Sequence, residues 1–519
     1  MNNEMIFHFD HPHSGTIAEI SDVVGGKGAS LWAMTSKLGL PTPAGFTIGV
    51  DTCAMLDKSG ITEDFTATMD KAIAKLEAKT GRQLGDPENP LLLAVRSGAS
   101  VSMPGMMETI LNVGVTPLTL PALRNITSDR RFALDSYQRF LDCFCRSILR
   151  SDLSPYDAKT QEKLELADHI KNLEAVVGEQ IGSKRLCDAR YLLNECIHAV
   201  IRSSHSSTAQ GYRKKTGLAE SLGTAVTVQA MVFGNTGASS GTGVAFSRDP
   251  NSGEQKVCGD WISNAQGDDV VAGGSATSDI SVLASTLPSA YVELKLYLEH
   301  LEIFYQDMVD VEFTVDRGKL WILQARVGKR TARAASRIAV ELANSERFEL
   351  NKKDALATVA KSLATEKSLT KILTDNRKSI TTGIGASVGV ASGLAVFTSE
   401  EAIKATEDGK AVVLVRQETS PADVHGMAVA NGILTSLGGL MSHAAVVARD
   451  WNLPAVVGAI DMQFTADAVV VGTVKIHAGD IISIDGNTGE VFVGEILSTA
   501  DEDPYLEQLE AWAEEKDED

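Results

Sequence analysis

The stretch 432–458, GILTSLGGLMSHAAVVARDWNLPAVVG, decides how this chain is read. The pair Gly438-Gly439 stands before an apolar, helix-like run that begins near Met441, with Ser442 and His443 at its start. Backbone N–H groups and the positive end of the helix dipole then lie beside an imidazole, which suits an incoming or covalently held phosphoryl group. Ser442 is placed to hydrogen-bond the same phosphate. Ala444 and Ala445 keep the neighbouring face small, so that a bulky partner site can come close to the ring. A lone histidine is more often structural than nucleophilic, so the surroundings must decide.

Working outward, residues 383–495 consist of short Val/Ile runs (AVVLV, AVVVG, IISI) between Gly and Asp turns, with that one helix-like segment, and predict a compact α/β domain. Residues 331–382 lack Pro and Gly and carry Ala, Leu and Ile at helical spacing between Lys and Glu, as a helical linker does. Residues 1–330 mix Gly-rich turns with β-branched runs and helix-like stretches, an α/β or α+β pattern. The final segment, 496–519, reads as an acidic tail: its last nineteen residues hold ten acidic side chains against one Lys, which favours a solvated, partly helical end.

A chain of 519 residues, 44% hydrophobic and 22% charged, buries sizeable cores and divides into several domains. Its formal charge of −20, with no clustered Lys/Arg stripe, points away from nucleic acid and anionic membranes. Six scattered cysteines form no CxxC pair or zinc array, and no apolar run reaches the ~20 residues that span a bilayer. A cytoplasmic location is the expectation.

Four stretches could serve a nucleotide. In 24–48, VGGKGASLWAMTSKLGLPTPAGFTI, glycines precede a helix-like segment and Lys27 supplies a point charge for phosphate, although a plain turn reads the same way and no P-loop spacing is present. In 94–112, Arg96 precedes a Ser-Met-Pro-Gly-Met-Met loop that could act as a lid; a surface ion pair is the bland alternative. In 231–250, Gly241, Thr242 and Gly243 could fold over a triphosphate. In 310–326, DVEFTVDRGKLWILQAR, a β-hairpin puts Asp310 and Glu312 on one strand face, able to hold Mg²⁺, with Gln324 and Arg326 similarly paired on the second strand. Alternating charges of this kind are usually a solvent face.

The histidine stretch resembles the phosphohistidine signature of the PEP-utilising enzymes, which include pyruvate phosphate dikinase, PEP synthase and enzyme I. The upstream stretch 414–435, with Glu418, Thr419, Ser420, Pro421 and Asp423, resembles the same domain of the dikinases. The four nucleotide stretches resemble, in order and spacing, their ATP-grasp domain. The resemblance implies an ATP-grasp-type nucleotide-binding domain, a helical linker and a swivelling phosphohistidine domain. It makes His443 the phosphorylated nucleophile, and gives Lys27, Arg96, Asp310, Glu312, Gln324 and Arg326 to ATP and Mg²⁺. Three positions depart from the family: Met441 replaces the usual Thr, which argues against control by phosphorylation there, and Asp260 and Asp268 replace Glu. The chain ends where the family's pyruvate-binding barrel would begin, so the implied acceptor is a separate protein. The implied half-reaction uses ATP and inorganic phosphate, with water as the other candidate for the second acceptor. A self-contained small-molecule kinase and a non-catalytic nucleotide-binding regulator or phosphocarrier are the alternatives.

Overall fold

A computed structural model describes residues 4–99, 107–127, 129–151, 166–216, 223–271, 277–364, 370–372, 378–465, 467–500 and 503–517. The chain forms two compact units, Met1–Ala238 with Trp321–Gln324, and Ser239–Leu320 with Ala325–Asp519. These units do not follow the expected boundary at 330, because residues 239–320 share an apolar cluster with helices from the linker and the histidine domain.

The first unit is built on five strands, β1 (Ile6–His8), β2 (Gly45–Ile48), β3 (Leu93–Ala99), β4 (Thr109–Val113) and β5 (Thr224–Ala230), in the order β1-β2-β5-β3-β4. Nearly every residue of β3 and β5 is buried, the pattern of strands covered on both faces. Helix Glu63–Thr80 shows how local sequence sets an element. Thr62 caps its start by accepting from the Phe65 N–H, Phe65, Met69, Ala72, Ile73 and Leu76 form the buried stripe, and left-handed Gly81 ends it.

Helix α1 (Ile17–Trp32) opens with a Thr16/Glu19 capping box and is interrupted at Gly25, which has φ 69° and ψ 162°. Gly25 thus breaks the run into two helices, and Lys27 and Gly28 stand at the start of the second, in keeping with a glycine turn before a helix. A side chain at Gly25 would run into the Gly98 carbonyl of β3, so the kink exists to bring backbone against backbone. Gly25→Ala is expected to destabilise this unit by about 2–3 kcal/mol, lowering its thermal midpoint by roughly 5–10 °C. Differential scanning calorimetry checks this, and an unchanged midpoint would refute the packing argument.

The second unit contains β6 (Gly241–Phe246), β7 (Cys258–Ser263), β8 (Ser278–Asp279), β9 (Val309–Asp316) and β10 (Lys319–Val327), in the order β10-β9-β6-β7-β8. The expected hairpin is present, and Arg317 and Gly318 turn it with positive φ at both positions. The histidine domain has an eight-stranded mixed sheet whose parallel centre runs through Val390–Val396, Val412–Arg416, Gly432–Thr435 and Ala455–Val457. Along one strand Val412 and Leu414 enter one core while Val413 and Val415 enter another, so the uniform Val/Leu run is buried on both faces. Two helices beyond the single expected one occur here, Ser399–Glu407 and Val424–Val429.

The linker is helical over Ala332–Ala343 and Lys352–Ala364, but Thr370–Ile372 and Thr381–Thr382 are strands. They pair with Ser498–Ala500 and with part of Glu490–Val493, partners that local propensity cannot foresee. The tail is helical, as expected, and is also packed. Helix Pro504–Asp517 buries Leu509 and Trp512 against Ala335, Ala339, Val340, Ala355 and Val359 of the linker helices, so its acidic residues are the outer face of a packed helix. Among the described residues, no helix is long and apolar enough to cross a membrane.

Candidate active site

In the first unit, the α1 kink lays Lys27 over Gly98, two residues along β3 from Arg96; a Cβ on Gly98 would stand 3.3 Å from that of Lys27. Arg96 Nη1 donates to the Leu323 carbonyl at 3.4 Å. The next residue, Gln324, is buried with its Oε1 lacking a hydrogen-bond partner. Two cations and an amide far apart in sequence are thus assembled in one neighbourhood. Residues 100–106, most of the expected lid, lie outside the described residues.

In the second unit, cross-strand register sorts side chains by face. Val244 of β6 stands opposite Glu312 on β9 and Asp260 on β7, while Phe246 stands opposite Asp310 and Cys258. Partners in one row share a face, so Asp260, Asp310 and Glu312 all lie on the same side of the sheet. Asp310 is buried, and Arg326 Nε donates to both of its carboxylate oxygens at 2.8 and 2.9 Å. Burial raises the Asp310 pKa, and the Arg326 charge opposes that shift. Two neighbouring carboxylates are hard oxygen donors that fit Mg²⁺ when phosphate oxygens complete the shell.

Gly241, Thr242 and Gly243, expected to fold over a triphosphate, lie in β6 and pair on both sides. Thr242 Oγ1 donates to the Phe313 carbonyl. The two glycines leave room for Trp261 and Phe313, whose rings stack at 5.8 Å; a Cβ at Gly241 would strike Trp261, and one at Gly243 would strike Phe313.

His443 begins a helix, His443–Asp450, as expected. The parallel strands Val412–Arg416 and Gly432–Thr435 end side by side, so the loops leaving their C-terminal ends converge, held together by Leu437 N–H donating to the Gln417 carbonyl at 2.9 Å. One loop carries Thr419, the other carries His443. Thr419 Oγ1 lies 3.0 Å from His443 Nδ1, and Nε2 is buried with no hydrogen-bond partner. Burial pulls the imidazole pKa down to about 4, against a smaller opposing pull from Asp423. With the proton on Nδ1 donating to Thr419, Nε2 keeps a free lone pair in a neutral ring. Ser442 Oγ accepts from the Ala445 N–H as the helix cap.

The face bearing the carboxylates is the face on which this helix sits. Met441 and Val446 enter one apolar cluster with Val244, Phe246 and Cys258. The Met441 N–H donates to Asp260 at 3.2 Å, and Asp260 also abuts Gly439. Asn251 Nδ2 donates to the Gly385 carbonyl at 2.7 Å, and Lys329 pairs with Asp450. Asp268 is in the short helix Gly267–Val271, whose Val270 joins the same apolar cluster. Sequence reasoning assigned no part to Thr419 or to Arg449. Thr419 was legible as a hydroxyl in the upstream motif, whereas Arg449 looks like an ordinary cation in the last turn of a helix.

Residues 408–489 match the mobile domain of PEP-utilising enzymes, and residues 54–294 and 286–347 match the AMP/ATP-binding domain of pyruvate phosphate dikinase. The chain is similar to pyruvate, phosphate dikinase of Rhizobium meliloti, at 40% identity over 92% of this chain and 56% of that protein. The Rickettsia felis enzyme is 39% identical over 95% and 58%, and the chloroplastic enzyme of Flaveria pringlei 38% over 98% and 55%. The chain therefore spans little more than half the length of these relatives. A solution structure of Enzyme I covers 21% of the chain at 27% identity with a TM-score of 0.13, and no argument rests on it.

Proposed function

Because the chain belongs to the pyruvate phosphate dikinase-like PEP-utilising enzymes, we propose that it transfers phosphate from ATP to Nε2 of its own His443. The observation that carries this reading is a neutral imidazole whose Nε2 has no partner, on a helix seated against the carboxylate-bearing face of β6–β9. A buried nitrogen left without a partner is costly unless something else engages it, and an electrophilic phosphorus is suited to that.

Lys27, Arg96, Gln324 and Arg326 are the residues we assign to the nucleotide, on the resemblance to an ATP-grasp-type domain. Their cations neutralise charge that moves from the transferred phosphate to the leaving group. Asp310 and Glu312 would hold Mg²⁺, which would supply further charge neutralisation at the phosphates. Thr419 Oγ1, accepting from Nδ1, orients the ring with its lone pair on Nε2. The lone pair of Nε2 attacks phosphorus, the bond to AMP breaks, and the pyrophosphoryl group rests on the nitrogen. Inorganic phosphate then takes one phosphoryl group, leaving pyrophosphate and phosphohistidine. The histidine domain would swivel to deliver that phosphate to an acceptor on a separate protein. The location is proposed to be cytoplasmic.

Purified protein with Mg²⁺ and ATP should form AMP, with pyrophosphate appearing only when inorganic phosphate is added. ADP as the product would defeat this scheme and favour a simple kinase. Nucleotide binding without turnover would favour the regulator. The pH profile offers a second test. Since burial holds His443 near 4, the ring stays neutral and nucleophilic well below its ordinary value of about 6.5. At saturating Mg²⁺, labelling of His443 should show no loss centred on pH 6.5, whereas such a loss would mean that the ring is solvated as in water.

A further inference from the structure

Arg449 lies six residues beyond His443, where a helix usually presents a cation to solvent, yet it is 1% exposed. Its Nη1 donates to the Ala386 carbonyl at 3.0 Å and its Nη2 to the Leu440 carbonyl. The guanidinium stands 5.5 Å from the centre of the Phe246 ring, and its Nε has no hydrogen-bond partner. Each contact belongs to a different element. Leu440 is in the loop that delivers His443, Ala386 is in strand Ile384–Ser387, and Phe246 is the β6 residue opposite Asp310.

Among the described residues, no carboxylate forms an ion pair with this buried cation. The negative charges that reach it are those of Asp310, Asp260 and Asp249, all on the β6–β9 half of the unit. An arginine placed so deep costs several kcal/mol of desolvation, which a ring face, two carbonyls and the field of those aspartates offset only while the helix is seated. A lysine could supply the charge, but it lacks the planar fork that reaches two carbonyls while lying over a ring.

We propose that Arg449 is a positioning residue, a catch that ties the His443 loop to Phe246 and so sets the imidazole over the carboxylate-bearing face. This inference rests on the proposed phosphoryl transfer for its effect on rate, but its structural half can be tested alone. Cys258 belongs to the apolar cluster beneath Met441 and Val446 and is 8% exposed, so its thiol reports when the helix lifts from the sheet.

The experiment compares wild type, Arg449→Lys, Phe246→Leu and the double variant. Three quantities are read: alkylation of Cys258 by N-ethylmaleimide, resolved by peptide mass spectrometry; single-turnover labelling of His443 from Mg-ATP; and affinity for ATP. Arg449→Lys should speed Cys258 alkylation at least tenfold and slow labelling at least tenfold, with ATP affinity within twofold. Phe246→Leu should act in the same direction, and the double variant should be no worse than Arg449→Lys, because both remove one contact. Phe246→Leu also stands in if Arg449→Lys does not fold. Cys258 protected as in wild type in both single variants would overturn the catch. Cys258 exposed with unchanged labelling would overturn the positioning role. If wild type itself takes no label, the proposed transfer fails while the thiol measurement still decides the catch.

Discussion

His443→Ala is expected to take no acid-labile, base-stable label from β-³²P ATP, while its affinity for Mg-ATP stays within about twofold of wild type. The loss should be complete, because no rearrangement of charge can replace a covalent acceptor. Affinity should persist because the residues assigned to the nucleotide, Lys27 on α1 and the others on β3, β9 and β10, are left in place by the substitution. His443→Asn serves as the stricter form, since it keeps a polar group near Thr419. Label that survives in both variants would place the phosphoryl group elsewhere and end the His443 reading.

Arg326→Ala should damage stability and transfer together. The guanidinium grips both oxygens of a carboxylate that is 1% exposed, and removing it leaves a buried charge uncompensated. Breaking such a pair costs about 3–5 kcal/mol, a fall in melting temperature on the order of 10 °C. Labelling of His443 should drop by roughly 10³-fold or more, the scale for losing an arginine that neutralises a transferring phosphate. The two effects separate with Asp310→Asn added to Arg326→Ala, which should recover most of the stability and none of the labelling. The pH dependence has a definite sign. Without Arg326 the Asp310 pKa rises further above its unfolded value, so folding gains from its protonated form at low pH and loses this as pH rises. The melting-temperature gap between wild type and Arg326→Ala should therefore narrow from pH 7.5 to pH 5. A gap that widens would show that Arg326 is not what holds the charge on Asp310.

The hairpin and the histidine helix were legible in sequence because their signals are local. Alternating residues place Asp310 and Glu312 on one face of a strand regardless of what covers it, and Gly318 takes a left-handed turn position at no steric cost. The Gly-rich stretches carry a second meaning that is not local. Gly25 and the pair Gly241 and Gly243 look like flexible phosphate loops, but each makes room for a neighbour distant in sequence, a carbonyl at Gly98 or the rings of Trp261 and Phe313. A missing side chain records that something is close without recording what.

The acidic tail shows the limit of composition. Ten acidic residues predict solvation, but Leu509 and Trp512 are enough to seat a helix when an apolar groove awaits them. By itself the sequence determined the family, the hairpin of β9 and β10 and the helix that begins at His443, because periodicity, turn chemistry and motif order are properties of neighbouring residues. Only the tertiary structure decided that Arg326 grips Asp310, that Thr419 holds the imidazole, and that Arg449 is buried against Phe246. Each of these depends on residues 16 to 203 positions apart meeting across strands and loops, and burial, which sets the charge state of His443, exists only once they have met.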